Sequence, residues 1–203
     1  MRRLGARWRD ARGQALVEFT MLVPVFTLVL LGMLEFGFVF DHTLTIRYAS
    51  REGARVGSAL ANGSASVPCA SVDQYVVAAV MRVLSSPGSR VHVADVPTIR
   101  IYKALASGDQ SGSLVNVWTY SPGAGPVVDG KALDYVQSSV AWSACSRINY
   151  EVSGAPPDSI GVSLTYTYRL ETALGPVLRF FGGSGWSTIT ISDRSVMALN
   201  PTN

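Results

Sequence analysis

Residues 12–40 read RGQALVEFTMLVPVFTLVLLGMLEFGFVF, a nearly unbroken apolar run with one carboxylate, Glu18, near its start and a second, Glu35, near its end. From Phe19 to Phe40 there are 22 residues. At a helical rise of about 1.5 Å each they cover roughly 33 Å, slightly more than the hydrocarbon core of a bilayer. One helical span is therefore expected. A removable secretory signal has a shorter apolar region, about 7–15 residues, followed by a small-x-small cleavage site. This run is longer, and FVFDHTLT at 38–45 offers no such site. Arg2, Arg3, Arg7, Arg9 and Arg12 crowd the first twelve residues, so the net charge of +3 belongs mainly to one terminus and does not mark a nucleic-acid face. Arginines before an apolar run resist translocation and meet anionic lipid, which places the amino terminus in the cytoplasm and the remainder of the chain outside it.

Helical periodicity continues past the apolar run. Through DHTLTIRYASREGARVGSALANG, Ile46, Ala49, Gly53, Val56, Gly57 and Leu60 recur at spacings of three and four, while Arg47, Arg51 and Arg55 form an opposite ridge. The small ridge Ala49, Gly53, Gly57 and Ala61 admits close approach of another backbone, either this protein's own head or a second subunit; the arginines should stay solvated or meet acidic neighbours. Asn62-Gly63 supplies the stop. Residues 14–61 thus read as one helix of 48 residues, roughly 70 Å long, with Pro24 and Gly32 as places for a bend.

The rest reads as one extracytoplasmic α+β head. Ser71 and Gln74 suit a capping box before a helix at 72–85, whose apolar stripe is Val72, Val76, Val77, Val80, Met81 and Leu84. Strands are expected at 90–103, 114–120, 159–170 and 186–199, where β-branched and aromatic residues alternate between Gly, Ser, Pro and Asp clusters. In the third, Ile160, Val162, Leu164, Tyr166 and Tyr168 share one face, the pattern of a half-buried antiparallel strand. LGPVLRFFGG at 174–183 reads as a short turn whose Leu174, Val177, Leu178, Phe180 and Phe181 plug the core, with a patch resting on lipid or a neighbour as the other reading.

Chemistry is sparse. His42 and His92 are the only histidines, and no GxSxG, GxGxxG, Walker loop or HExxH is present, so neither catalysis, a metal nor another cofactor is expected. Cys69 and Cys145 are the only thiols. In an exported chain they favour one disulfide, for which the alternative is a free buried pair.

Read together, the basic leader ending in Gly13, then Gln14, Glu18 and Phe19 heading an apolar helix, resembles the processing site of type IV prepilins. RGQALVEF, LEFG and the AxREGAR motif at 49–55 together resemble more narrowly the TadE/TadG-like family of tight-adherence (Flp) pilus systems, over roughly the first 60 residues. The resemblance implies a pseudopilin or minor pilus-assembly component cut after Gly13. It implies as partners a prepilin peptidase, the major pilin and other pseudopilins, an inner-membrane platform protein and a secretion ATPase, besides the bilayer itself. The organisation expected is a cytoplasmic leader at 1–13, a transmembrane and stalk helix at 14–61 and a head at 62–203. On this reading Glu18 pairs with the new amine of Gln14 on a neighbouring subunit; the bland alternative is that it snorkels to interfacial water. Glu35 meets Arg47 of another helix or is solvated, and Ala49, Gly53 and Gly57 are candidate assembly contacts. A membrane-tethered binding or sensory module shares the same anchor and head, and a tethered enzyme would need a convergent polar pocket.

Overall fold

In a computed structural model of the protein, residues 5–151 and 156–200 are described, with side chains from Gly13 onward except at 184 and 186. Most of the expected leader therefore lies outside the described residues: Arg2 and Arg3 entirely, and Arg7, Arg9 and Arg12 in their side chains. Among the described residues three helices, α1 (Gly5–Leu60), α2 (Val72–Leu84) and α3 (Leu174–Gly182), accompany seven strands. These are β1 (Thr98–Ala104), β2 (Gln110–Tyr120), β3 (Val127–Val128), β4 (Lys131–Ala132), β5 (Tyr135–Val140), β6 (Ser159–Arg169) and β7 (Thr188–Ala198). The fold is α+β: a long apolar helix, then helices and a sheet. Two compact units divide the chain, one of Met1–Phe40 with Arg169–Thr188 and the other of Asp41–Tyr168 with Ile189–Asn203.

The larger unit is built on a five-stranded sheet in the order β5-β2-β1-β6-β7, with the β1–β2, β1–β6 and β2–β5 pairs antiparallel. Alternation along β6 works as its sequence requires, since Ile160, Val162, Leu164, Tyr166 and Tyr168 are all buried. α2 covers this layer with Val72, Val76, Val77, Val80, Met81 and Leu84, each nearly or wholly buried. The expected capping box is absent: a 3₁₀ turn at Cys69–Ser71 runs straight into α2, so Ser71 is already helical (φ −99°, ψ −8°) and makes no side-chain cap bond. An N-cap side chain reaches the following N–H groups from an extended residue, a geometry that turn removes.

Two further expectations for this unit change, and one is met. The strand expected at 90–103 begins only at Thr98, because a 3₁₀ turn occupies Val93–Asp95 and Pro97 has no N–H for a ladder. β5 and the small β3–β4 hairpin were not anticipated; all of β5 after Tyr135 is exposed, which leaves no alternation to detect. Cys69 and Cys145 form a disulfide, Cα to Cα 4.9 Å, beside a small cluster of Val67, Val72 and Ala144.

In the smaller unit, α1 up to Phe40 accompanies the segment Arg169–Thr188. That segment holds a genuine helix, α3, where a turn was expected, followed by a 3₁₀ turn at Ser184–Ser187 that displaces the expected strand start to Thr188. Pro176 falls in the first turn of α3, where a missing N–H costs nothing. The core-plug reading of LGPVLRFFGG is overturned, since Phe180 and Phe181 are 83% and 79% exposed.

Candidate functional site: the long helix and its carboxylates

Gly13 lies inside α1, exposed, with nothing within 4 Å of where a Cβ would stand. One turn on, the Gln14 amide donates from Nε2 to Glu18 Oε1 at 3.0 Å, a contact that the i,i+4 spacing brings onto one helix face. Phe19, Leu22 and Phe26 follow, each more than 60% exposed. Pro24 is accommodated within the helix; the Thr20 hydroxyl, at the carbonyl Pro24 leaves without a donor, bonds back to Leu16 O at 2.7 Å. α1 from Gly13 is long and apolar enough to cross a membrane, and almost none of its most apolar window is covered by protein.

Glu35 behaves otherwise. It is only 4% exposed, and its two carboxylate oxygens each accept a backbone N–H: Oε1 from Glu171 at 2.9 Å and Oε2 from Thr172 at 3.0 Å. The structure puts the main chain just before α3 at both of its carboxylate oxygens. Backbone N–H groups are obligatory donors, and an acceptor held by a helix serves them as well as a strand would.

Beyond Phe40, α1 is packed. Ala49, Gly53, Ala54 and Gly57 are buried, while Arg47, Arg51 and Arg55 are exposed. A Cβ on Gly53 would stand 2.7 Å from Val80 Cγ2 and 3.3 Å from Val162 Cγ1; one on Gly57 would meet Ile160 and Val76. Of the two partners open for this ridge, the protein's own α2 and β6 occupy it. Within the motif, Arg55 grips Glu52 with two bonds of 2.8 and 2.6 Å, which holds the Glu52 carboxyl below its usual range. Ser50 donates to Asp193 on β7 and lies 3.0 Å from the Ser195 hydroxyl, while Ser58 donates to Ala198 O, tying the same stretch of helix to the last strand. His42 is buried with Nδ1 2.9 Å from the Tyr166 hydroxyl and its ring against Tyr168, a structural role for a lone histidine.

Elsewhere in this unit lies a buried network without local sequence signature. Asp73 accepts from Arg147 and from Asn116, both at 2.6 Å; Asn116 also bonds the backbone of Ala141 and Trp142, and the guanidinium lies 4.3 Å over the Trp142 ring. Asp73 is 43 residues from Asn116 and 74 from Arg147, so only the fold reveals it. An open cleft of 470 Å³ between α2 and the β3–β4 hairpin is lined by Arg82, Ser85, Asp129 and Lys131 among others. Among the described residues no group of three His, Cys, Asp or Glu is placed to hold a metal. The shifted acids outside the span are accounted for by simple partners: the Arg194 guanidinium, then the Ser107 hydroxyl, hold Asp109 low, and burial raises the phenols of Tyr102 and Tyr135.

Neither the curated proteins nor the solved structures contain a match to the chain. The exposed apolar helix and the packed motif after it coincide with a family that is recognised from sequence: residues 13–55 match the family model for TadE-like protein.

Proposed function

We propose that this protein is a TadE-like pseudopilin or minor pilin, a structural component in assembly of a Flp/type IVb-like pilus or secretion apparatus, acting by association rather than catalysis. The observation that carries the reading is a coincidence within residues 13–55. The TadE-like match covers an apolar helix left bare by the protein, and that helix has Gly13, Gln14, Glu18 and Phe19 at its head. A helix surface that its own chain leaves uncovered is available to lipid and to other helices. The TadE-like segment supports a pilus-assembly setting, and with it the bilayer, a prepilin peptidase, the major pilin and other pseudopilins, an inner-membrane platform and a secretion ATPase as partners.

In this reading residues 1–13 are a cytoplasmic leader, 14–61 the transmembrane and stalk helix, and 62–203 the extracytoplasmic head. The peptidase cuts after Gly13, where the absent side chain leaves the scissile bond open to approach. The cut frees a cationic amine on Gln14, and Glu18 of a neighbouring subunit accepts it; an ion pair formed away from water rewards the correct stagger between helices and penalises others. Ala49, Gly53 and Gly57 contribute indirectly, by holding the head to the stalk.

Mass analysis of the chain recovered from membranes of cells that contain the cognate peptidase tests the reading. The mature protein should begin at Gln14, and Gly13→Leu should block processing. A terminus still at Met1 in the parent protein would overturn the processed-pseudopilin reading.

A further inference from the structure

The Glu35 contact fixes more than a loop. Glu171 and Thr172 are held against α1 at residue 35, and α3 begins two residues later, at Leu174. Glu35 lies five residues before Phe40, the last residue of the apolar run. Along the helix axis that is about 7–8 Å inside the end of the run. On α1, Met33, Leu34 and Phe36 are 66%, 55% and 73% exposed around this point. Whatever medium covers those side chains reaches the start of α3 as well.

α3 is suited to that medium. Among the described side chains of the segment, Phe180 and Phe181 are the most exposed large apolar ones, with ring centroids 5.2 Å apart, and Val177 is 38% exposed. The exposed Arg179 lies between them and the start of the helix, with a stem long enough to reach headgroups. The flanking main chain is equally prepared. Leu170 N–H bonds Ser187 O, Glu171 and Thr172 N–H bond Glu35, Leu174 N–H bonds the Thr172 hydroxyl, Gly175 N–H bonds Thr172 O and Gly183 N–H bonds Arg179 O. Irregular backbone is tolerated at membrane depth only when its polar groups are satisfied by protein, and each of these N–H groups has a protein acceptor. Amphipathic helices that lie in a membrane interface sit about 5–10 Å deep, the depth that the Glu35 anchor imposes.

We propose that α3 is a membrane-interface helix. It lies in the leaflet farther from the amino terminus, with Phe180 and Phe181 among the acyl chains of the same bilayer that α1 crosses, and Glu35 is the positioning residue that sets its depth. The proposal rests on the membrane reading of α1. A lipid surface is favoured over a second copy because the Glu35 contact holds the start of α3 at the level of Met33, Leu34 and Phe36, which the chain leaves exposed within its apolar run.

The test uses the full chain in vesicles of phosphatidylcholine and phosphatidylglycerol, with a nitroxide on Phe181→Cys or, separately, on Leu30→Cys. Collision rates with oxygen and with a water-soluble nickel chelate are measured at each. Both positions are exposed, so neither label disturbs a packed core. The oxygen-to-nickel ratio at 181 should exceed that of free label in buffer several-fold and approach the ratio at 30. Glu35→Gln, which replaces one acceptor oxygen with a donor, should return the ratio at 181 toward the buffer value while leaving that at 30 unchanged. A lipid signature at 30 with a watery one at 181 overturns the proposal alone. A watery signature at 30 overturns the membrane reading and the proposal with it. Low collision rates with both reagents at 181, with spin–spin broadening that dilution by unlabelled protein removes, would assign the face to a second copy and also overturn it.

Discussion

Gly32 and Gly37, in the part of α1 before Phe40, have nothing within 4 Å of where a Cβ would stand, whereas Gly53, in the part beyond it, is closed in by Val80, Val162 and Val76. The side chains follow the same division. Phe19, Met33 and Phe36 are bare, while Ile46, Ala49 and Ala54 are fully buried. One helix therefore combines a stretch whose apolar surface the chain leaves uncovered with a stretch whose contacts are made at home. The same residue type means different things in the two. A glycine in the bare stretch weakens the helix without improving a contact, and a glycine in the packed stretch is what lets α2 and β6 approach.

The comparison can be broken most severely through the packed part. Removing the disulfide with Cys145→Ser frees a loop with a sequence separation of 76. The larger unit should lose about 2–5 kcal/mol. Denaturant unfolding of the full chain in detergent, followed by near-ultraviolet circular dichroism, reads that loss, while membrane insertion through α1 should be unchanged. Insertion lost together with folding would mean that the two parts are not separable.

A matched pair of substitutions sharpens it. Gly53→Leu forces a side chain into the space held by Val80 and Val162 and should cost about 1–3 kcal/mol or more, the usual range for overpacking a core. Gly32→Leu should cost nothing and improve helix propensity by about 1 kcal/mol. Equal effects in the same unfolding measurement would contradict the difference between the two stretches.

The smallest effect concerns acid. Asp109, held low by Arg194, and Glu52, held low by Arg55, have folded-state values beneath their unfolded ones. Their contribution is therefore present above the ordinary carboxylate range and is lost as pH falls through the depressed values. Both pairs are largely solvent-exposed, so the loss should be slight and further reduced by salt. Melting temperature followed from neutral pH into the acid range should fall less steeply in Asp109→Asn than in the parent; an unchanged slope would show that the Arg194 pair adds nothing.

What could be read beforehand follows from how each signal is encoded. The apolar run is marked by its length, and the 49–61 ridge and the inward face of β6 by their periodicity, and both signals survive without knowledge of partners. α3 was obscured because Gly175 and Pro176 look like turn punctuation, although proline is at home in a first helical turn. The partner of Glu35 was invisible for a deeper reason: it is main-chain N–H more than 130 residues away, which every residue but proline carries and no side chain announces. The Asp73–Arg147–Asn116 network was hidden likewise by distance along the chain. Val91 and Val93 alternate like a strand, yet local bonds from Asp95 to His92 and Val96 to Val93 close a turn there instead.

The central claim is that the bare stretch of α1 associates with other pilin-like helices through Glu18. In-cell photo-crosslinking from a probe at Leu22, an exposed position one turn beyond Glu18, tests it most directly. In the parent protein the probe should capture pilin-like neighbours. Glu18→Gln and Glu18→Ala should still insert and fold but lose that capture and pilus formation, and Glu18→Asp, which keeps the charge with shorter reach, should retain part of both. If all three variants crosslink and assemble like the parent while being inserted and folded, Glu18 is no more than an interfacial carboxylate and the account of assembly fails.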